Sequence, residues 1–254
     1  MAQSAAPLLE ARALRKSFGA VKAVREATFD IGAAEVVAFV GDNGAGKSTV
    51  IKMLSGAHRP DDGEISFAGQ SFHPRDPEDA RRLGIETLYQ DLALANDIDA
   101  PGNIFLGHEL TTRKAGFIPW LDKARMRERA RELLARIRIE LPSLDQPVRL
   151  MSGGQRQAAA IARILRSEAT RLIIMDEPTA ALGVQETRKV LDLIGSLNEE
   201  GLSVIVVMHN LEQVFAVAHR VVVMRGGTVV GTVQTDEVTP KDVVNLIVGA
   251  EESR

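Results

Sequence analysis

The stretch EVVAFVGDNGAGKST, residues 35–49, limits the possible folds more than any other part of this chain. EVVAFV is a short, nearly continuous β-branched apolar run, the pattern of a strand buried on both faces within a parallel sheet. GDNGAGKST follows it at once and matches G-x-x-x-x-G-K-[ST] through Gly41, Gly46, Lys47 and Ser48, with an extra Gly44 inside. Glycines let successive backbone N–H groups turn inward around phosphate oxygens. The lysine neutralises their charge, and the serine hydroxyl suits Mg2+. KSTVIKMLSG then reads as a buried helix stopped by Gly56. Strand, glycine loop and helix in this order are the setting that such a loop needs.

The rest of the chain extends the pattern. LLEARALRKSF (8–18) and AVREATFDI (23–31) alternate partly between apolar and polar positions, and RPDDGEISFAG (59–69) reads as a turn and another strand. From about Asp91 to Glu168 the β-rich pattern fades. There DKARMRERARELLARIRIE (122–140) is an amphipathic helix, with Met126, Ala130, Leu133, Leu134 and Ile137 on one face. Its arginines are diluted by Glu128 and Glu132, so the outer face reads as solvated rather than as a nucleic-acid or membrane surface. RLIIMDE (171–177), LSVIVVMHN (202–210) and RVVVMRGGTVVGTV (220–233) then alternate with helical stretches, as in a mainly parallel sheet between helices. The expectation is an α/β chain with one domain. Residues 1–90 and 169–254 form a nucleotide-binding core, and about 91–168 form a helical subdomain.

Composition removes several functions. A formal net charge of −3 argues against broad electrostatic binding to nucleic acid or anionic lipid. There is no cysteine, hence no disulfide framework and no thiolate metal site. The start MAQSAAPLLEARAL lacks a basic region before an apolar core, so no signal peptide is expected. The most apolar run, LSVIVVM, is too short to cross a bilayer, so a membrane role is expected to come through a partner.

Two further motifs carry chemistry. LIIMDE ends an apolar strand with Asp176 and Glu177, and downstream of a phosphate loop these carboxylates can hold Mg2+ and polarise an attacking water. MSGGQRQ (151–157) places two glycines at a helix start, a second seat for an anion. One loop already wraps a nucleotide's phosphates from one side, so a second seat calls for an explanation.

GDNGAGKST, LYQD (88–91), MSGGQ, IIMDEPTAAL and VMHN (207–210), in this order, resemble the ATPase subunit of an ATP-binding-cassette (ABC) transporter over nearly the whole chain. The resemblance implies the ABC ATPase fold: a P-loop NTPase core, an N-terminal antiparallel β subdomain and a helical insert. It implies ATP and Mg2+ as ligands. Gly41, Asn43, Gly44, Ala45, Gly46, Lys47, Ser48 and Thr49 resemble the phosphate-gripping loop, with Ser48 on the metal. Gln90 resembles the glutamine that approaches Mg2+ and water and senses the membrane partner. Ser152, Gly153, Gly154 and Gln155 resemble the family signature. Asp176 and Glu177 resemble the metal-holding and catalytic carboxylates, and His209 the switch histidine at the γ-phosphate. Phe18, in KSFGA, sits where the family places an aromatic ring on adenine. In this family two subunits meet head to tail, each signature capping the nucleotide held by the other, which answers the question of the second seat.

Two positions depart from the family pattern. Met151 replaces the usual leucine, a volume-conserving change. Gly183, in AALGV, stands where an aspartate usually helps the two sites communicate, so no such role is carried to it. Within the family, GDNGAGKSTVIKMLSGAHRPDDGEI, EPTAALGVQET and HNLEQVF are most similar to ATPases of bacterial monosaccharide importers, where AALGV is common. That likeness implies a homodimer on a membrane permease, which a periplasmic or extracellular binding protein serves with substrate. The chain would then sit peripherally on the cytoplasmic face of the membrane. A soluble ABC ATPase of DNA repair or ribosome-associated type is the alternative, but such chains usually carry a long coiled coil or two cassettes. A GTPase-like switch lacks support because N-K-x-D is absent. A degenerate ATPase conflicts with the presence of Lys47, Asp176, Glu177 and His209.

Overall fold

The computed structural model describes residues 6–113, 119–180 and 182–249. Ala181 of AALGV and the terminal AEESR lie outside them, as does most of the tail before Leu8. In chain order the first elements are strands β1 (Leu9–Phe18), β2 (Val21–Ile31) and β3 (Val36–Val40), then helix α1 (Lys47–Leu54). β4 (Asp62–Phe67), β5 (Gln70–Ser71), α2 (Pro77–Arg82), β6 (Ile85–Leu88) and α3 (Ala100–Ile104) follow. Next come β7 (Thr111–Arg113), β8 (Pro119–Leu121), α4 (Lys123–Arg136), a 3-10 turn (Val148–Leu150) and α5 (Gly153–Leu165). The chain continues with β9 (Leu172–Asp176), α6 (Val184–Glu199), β10 (Ser203–Val207), α7 (Leu211–Val217), β11 (Arg220–Arg225), β12 (Thr228–Gln234) and α8 (Pro240–Val248).

Two compact units result. Described residues up to Gln90, with Ala169–Pro178 and those from Leu197 onward, form the first; Asp91–Glu168 and Thr179–Ser196 form the second. The first unit holds a sheet in the order β5-β4-β1-β2-β12-β11-β3-β10-β9-β6. Its β11-β3-β10-β9-β6 half is parallel, and β5-β4-β1-β2 is antiparallel. The apolar runs explain the parallel half. Every residue of β3 and β10 is buried, as are Leu172–Met175 of β9, so both faces are covered. RVVVMRGGTVVGTV is a hairpin, β11 antiparallel to β12, turned by Gly226 and Gly227 at φ 56° and 83°. Far from the loop end of these strands, the Arg220 guanidinium donates to Glu35 Oε1 at 2.7 Å and Asp30 Oδ2 at 3.0 Å, tying β11 to its neighbours.

The second unit is mostly helical, with the small hairpin β7–β8, for which the sequence offers no clear signal. Met126, Ala130, Leu133 and Leu134 of α4 are buried, as their spacing predicts. The helix ends at Arg136 and does not reach residue 140. Arg138 turns into the left-handed region at φ 55°, where its N–H bonds Ala135 O and that of Ile139 bonds Leu134 O. This is a Schellman stop with arginine in place of the usual glycine. Ion pairs of Arg127 with Asp145 and of Arg129 with Glu132 dress the outer face.

Candidate active site

The parallel strands bring the chemistry to one edge. β3, β10, β9 and β6 are neighbours pointing the same way, with Val207 opposite Phe39 and also opposite Asp176, and Leu88 opposite Met175. The residues after their C-terminal ends therefore stand together: the glycine loop, His209, Asp176 with Glu177, and the exposed Gln90. The C-terminal edge of parallel strands is where open α/β sheets bind ligands.

The loop is built by steric necessity. A Cβ on Gly41 would lie 2.0 Å from Met224 O, and one on Gly46 would lie 2.6 Å from Ala23 O. Both also adopt positive φ, at 145° and 101°. The loop thus presses against the β11–β12 hairpin, where Gly227 N–H donates to Ala45 O. Gly46 is the N-cap of α1 and supplies no side-chain cap, so the first amides of α1 have no side chain to satisfy them. Lys47 is buried and donates from Nζ to Gly41 O at 2.6 Å and Asp42 O at 3.0 Å. Burial pushes its ammonium below the ordinary lysine value, while Glu177, Asp42 and Asp176 pull it back. Ser48 is exposed and Thr49 half-buried on the first turn of α1. Between the loop and the end of β10 lies a cavity of about 290 Å3, lined in part by Gly41, Asp42, Asn43, Met208 and His209.

The carboxylates differ in environment. Asp176 ends β9 half-buried, and its Oδ1 is buried without a hydrogen-bond partner. Burial, then the charge of Glu177, raises its carboxyl above the usual aspartate value, against weaker pulls from Lys52, Lys47 and His209. A buried carboxylate oxygen with no donor is a fitting ligand for a cation. Glu177 takes a left-handed backbone, φ 51°, anchored by its N–H on Val207 O at 3.0 Å. Non-glycine residues hold such a conformation only where their surroundings impose it, often at functional sites. Its Oε1 lies 2.5 Å from His209 Nε2. The two residues are separated by 32 positions in sequence.

Phe18 closes β1 at the tip of the β1–β2 hairpin, opposite Val21. Its ring is 45% exposed, with one edge on His58 at 5.2 Å between centroids and Lys16 Nζ at 5.6 Å from its centre. An exposed ring at this hairpin tip is suited to stacking.

The second unit carries the other anion seat. Ser152 caps α5 in a reciprocal box: Gln155 N–H donates to Ser152 Oγ, and Ser152 N–H donates to Gln155 Oε1 at 2.9 Å. A Cβ on Gly153 would lie 2.5 Å from Leu182 Cδ2, so a side chain there would have to displace that methyl group. Met151 is buried, as a leucine would be. Gly183 leaves space that the Glu186 carboxylate enters, 2.7 Å from where a Cβ would be. The sequence reading missed Asn103 and Arg163 of this unit, whose bonds are described below. Neither belongs to a motif, and only burial and partners distinguish them.

Comparison with known proteins identifies the family. Residues 24–180 match the family described as ABC transporter. The chain is similar to the xylose/arabinose import ATP-binding protein XylG of Sulfolobus acidocaldarius, 45% identical over 240 residues, covering 94% of this chain and 93% of that one. It is also similar to the fructose import ATP-binding protein FrcA of Rhizobium meliloti, 43% identical, covering 97% and 95%. Among solved structures, an ATP-binding cassette in a dimeric post-hydrolysis state bound to ADP and Pi superimposes with a TM-score of 0.73. It is 26% identical, covering 89% of this chain and 98% of that one. With residues 24–180 matching as one family domain and two relatives of like length, this chain belongs to the ABC transporter family, as its ATP-hydrolysing cassette.

Proposed function

We propose that this chain is the ATPase subunit of a membrane importer for a monosaccharide, working as a head-to-tail homodimer on permease subunits. The observation that carries the reading is the shared edge after β3, β9 and β10, where the glycine loop, Asp176 and the Glu177–His209 pair meet. The import names of the two relatives support the cargo class. No described helix is long and apolar enough to cross a membrane, in keeping with a peripheral chain on the cytoplasmic face that acts through a permease. A binding protein would deliver the sugar to that permease.

Each residue then has a task. The loop amides from Gly41 to Thr49 and the Lys47 ammonium grip the β- and γ-phosphates of ATP, with Phe18 stacked on adenine. Ser48, Asp176 and Gln90 would hold Mg2+, which supplies charge neutralisation along the phosphates. Glu177 orients and polarises the attacking water, and the His209 contact fixes the direction of its carboxylate. Ser152–Gln155, at the positive end of α5, caps the γ-phosphate held by the second copy. Each ATP thereby bridges two subunits, so binding closes the dimer and hydrolysis opens it.

The test is to purify tagged Glu177→Gln with Mg-ATP from detergent-solubilised membranes of the source organism and identify its companions. A strongly hydrophobic multi-span chain in stoichiometric amount supports the transporter motor. Soluble chains alone, with the membrane fraction controlled for, would instead favour a non-transport ABC ATPase.

A further inference from the structure

Residues 92–99 follow Gln90 and Asp91 directly and lie wholly in the second unit. The segment has little regular structure, yet its backbone is bonded at both ends of α5. Near the C-terminus of α5, Arg163 donates from Nη2 to Leu92 O at 2.9 Å and from Nη1 to Ala93 O at 3.0 Å. Just before the N-terminus, Val148 N–H donates to Ile98 O at 3.0 Å and Arg149 N–H to Asn96 O at 3.1 Å. The Arg149 side chain adds a bond to Asp97 Oδ1 at 2.8 Å. Val148 and Arg149 belong to the turn that leads into Met151 and Ser152.

Between the two ends stands Asn103, fully buried at 0% exposure. Its Oδ1 accepts from Ala95 N–H at 2.7 Å, and its Nδ2 donates to Ala95 O, Ile98 O and Asp99 O at 3.1, 3.0 and 3.0 Å. An amide group has two donor hydrogens, so three carbonyls share them and both are engaged. Ala93 is held left-handed at φ 48°, which a non-glycine residue adopts only under such constraint. A surface loop ordinarily leaves its carbonyls to water. This one is stiffened by Asn103 of α3, and it is fastened by Arg163 to the helix whose first turn is the signature and by Val148 and Arg149 to the turn before that helix.

We propose that Asn103 and Arg163 are positioning residues that make segment 92–99 and α5 one body, so that a displacement just after Gln90 moves Ser152–Gln155. The proposal rests on the reading above, in which the permease docks near Gln90 and the signature completes the hydrolytic site. Arg163 lies about 16 Å along the helix from Ser152 at the usual rise per residue. A helix held at both ends carries a shift to its N-terminus, where a free loop would absorb it.

The experiment uses the full-length protein and two variants, Arg163→Gln and Arg163→Lys. The arginine is half-buried, so its replacement spares the core; Asn103→Ala is a third variant if it remains soluble. Peptide-resolved hydrogen exchange is read at 92–99 and 150–157, alongside kcat and KM for Mg-ATP. For Arg163→Gln, exchange rises in both segments together. kcat falls about five- to tenfold while KM stays within about twofold, because the phosphate loop is built by other residues. Arg163→Lys, which keeps the positive charge on a single donor nitrogen, recovers part of both effects. Faster exchange at 92–99 alone with an unchanged kcat overturns the proposal, as does a loss of protection throughout the chain. If the wild-type protein does not hydrolyse ATP, the hydrolase reading fails, while the exchange comparison still decides whether the two segments move as one.

Discussion

Replacing Asp176 with asparagine should stabilise the protein while disabling it. The carboxylate ends β9 with Oδ1 buried and unpartnered, and its proton affinity is raised by burial and by Glu177. Without metal the folded state carries an anion that the unfolded chain would hydrate freely. Asparagine keeps the shape and removes the charge. An unsatisfied buried polar group costs about 1–3 kcal/mol and a charged one more; asparagine still leaves a polar atom there, so the variant gains only the extra cost of the charge. The residue is half-exposed and solvent screens it, so the gain should be near the bottom of that range, about 1 kcal/mol. For a chain of 254 residues that corresponds to about 2–4 °C in Tm. The sign follows from linkage. A raised carboxyl value means that the folded state binds the proton more tightly, so this group's cost is absent below the unfolded value and grows as pH rises through the folded one. The advantage of Asp176→Asn should therefore be greatest above the folded value and shrink as the solution is acidified toward the unfolded one.

Calorimetry in EDTA over a falling pH series measures this gap between variant and wild type. Saturating Mg-ATP should then reverse the order, because only the wild type keeps the carboxylate that we propose holds the metal. Ligand at 100 times its Kd adds about 2.7 kcal/mol to whichever protein binds it. An Asp176→Asn protein less stable than wild type in EDTA at neutral pH would refute the reasoning. So would a gap independent of pH.

Three further outcomes are expected. Lys47→Ala removes the ammonium held on Gly41 O and Asp42 O, and should cut hydrolysis by at least about 100-fold; turnover within a few-fold of wild type would rule out the phosphate role. Glu177→Gln should bind ATP and accumulate as a dimer in gel filtration with Mg-ATP, whereas a strictly monomeric elution would count against the nucleotide sandwich. Ser152→Arg should leave nucleotide affinity at the loop unchanged and abolish turnover, and the loss of its cap on α5 should lower stability by about 1 kcal/mol; unchanged turnover would remove the signature from the site.

What could be read from the sequence was whatever is encoded locally. EVVAFV had to be a doubly buried strand, and GDNGAGKST had to be a turn of backbone amides, because few other structures suit those residues. Asp176 was legible because it ends a buried strand. Local signals failed where the chain uses unusual residues or distant partners. Arg138 stops α4 in a conformation that glycine normally marks, so the helix read four residues too long. The strained backbone of Glu177 and its contact with His209 depend on the alignment of β9 beside β10, which no short window contains. Asn103 reads as an ordinary polar residue until its burial and its four bonds to the neighbouring backbone are seen.

The two helix starts also differ in a way that orders events on the proposed reading. α1 begins at a left-handed glycine with no side-chain cap, backed by a buried lysine, so its first amides gain most from a bound anion. α5 is already capped by Ser152 and Gln155, and its anion seat competes with that internal box. The phosphate loop can therefore bind a nucleotide strongly within one subunit, whereas the signature gains only when a γ-phosphate replaces or shares the bonds that Ser152 and Gln155 now make with each other. A diphosphate held in the loop offers no such group across the interface. The dimer then closes on ATP and releases on hydrolysis, because the weaker of the two seats is the one contributed by the second copy.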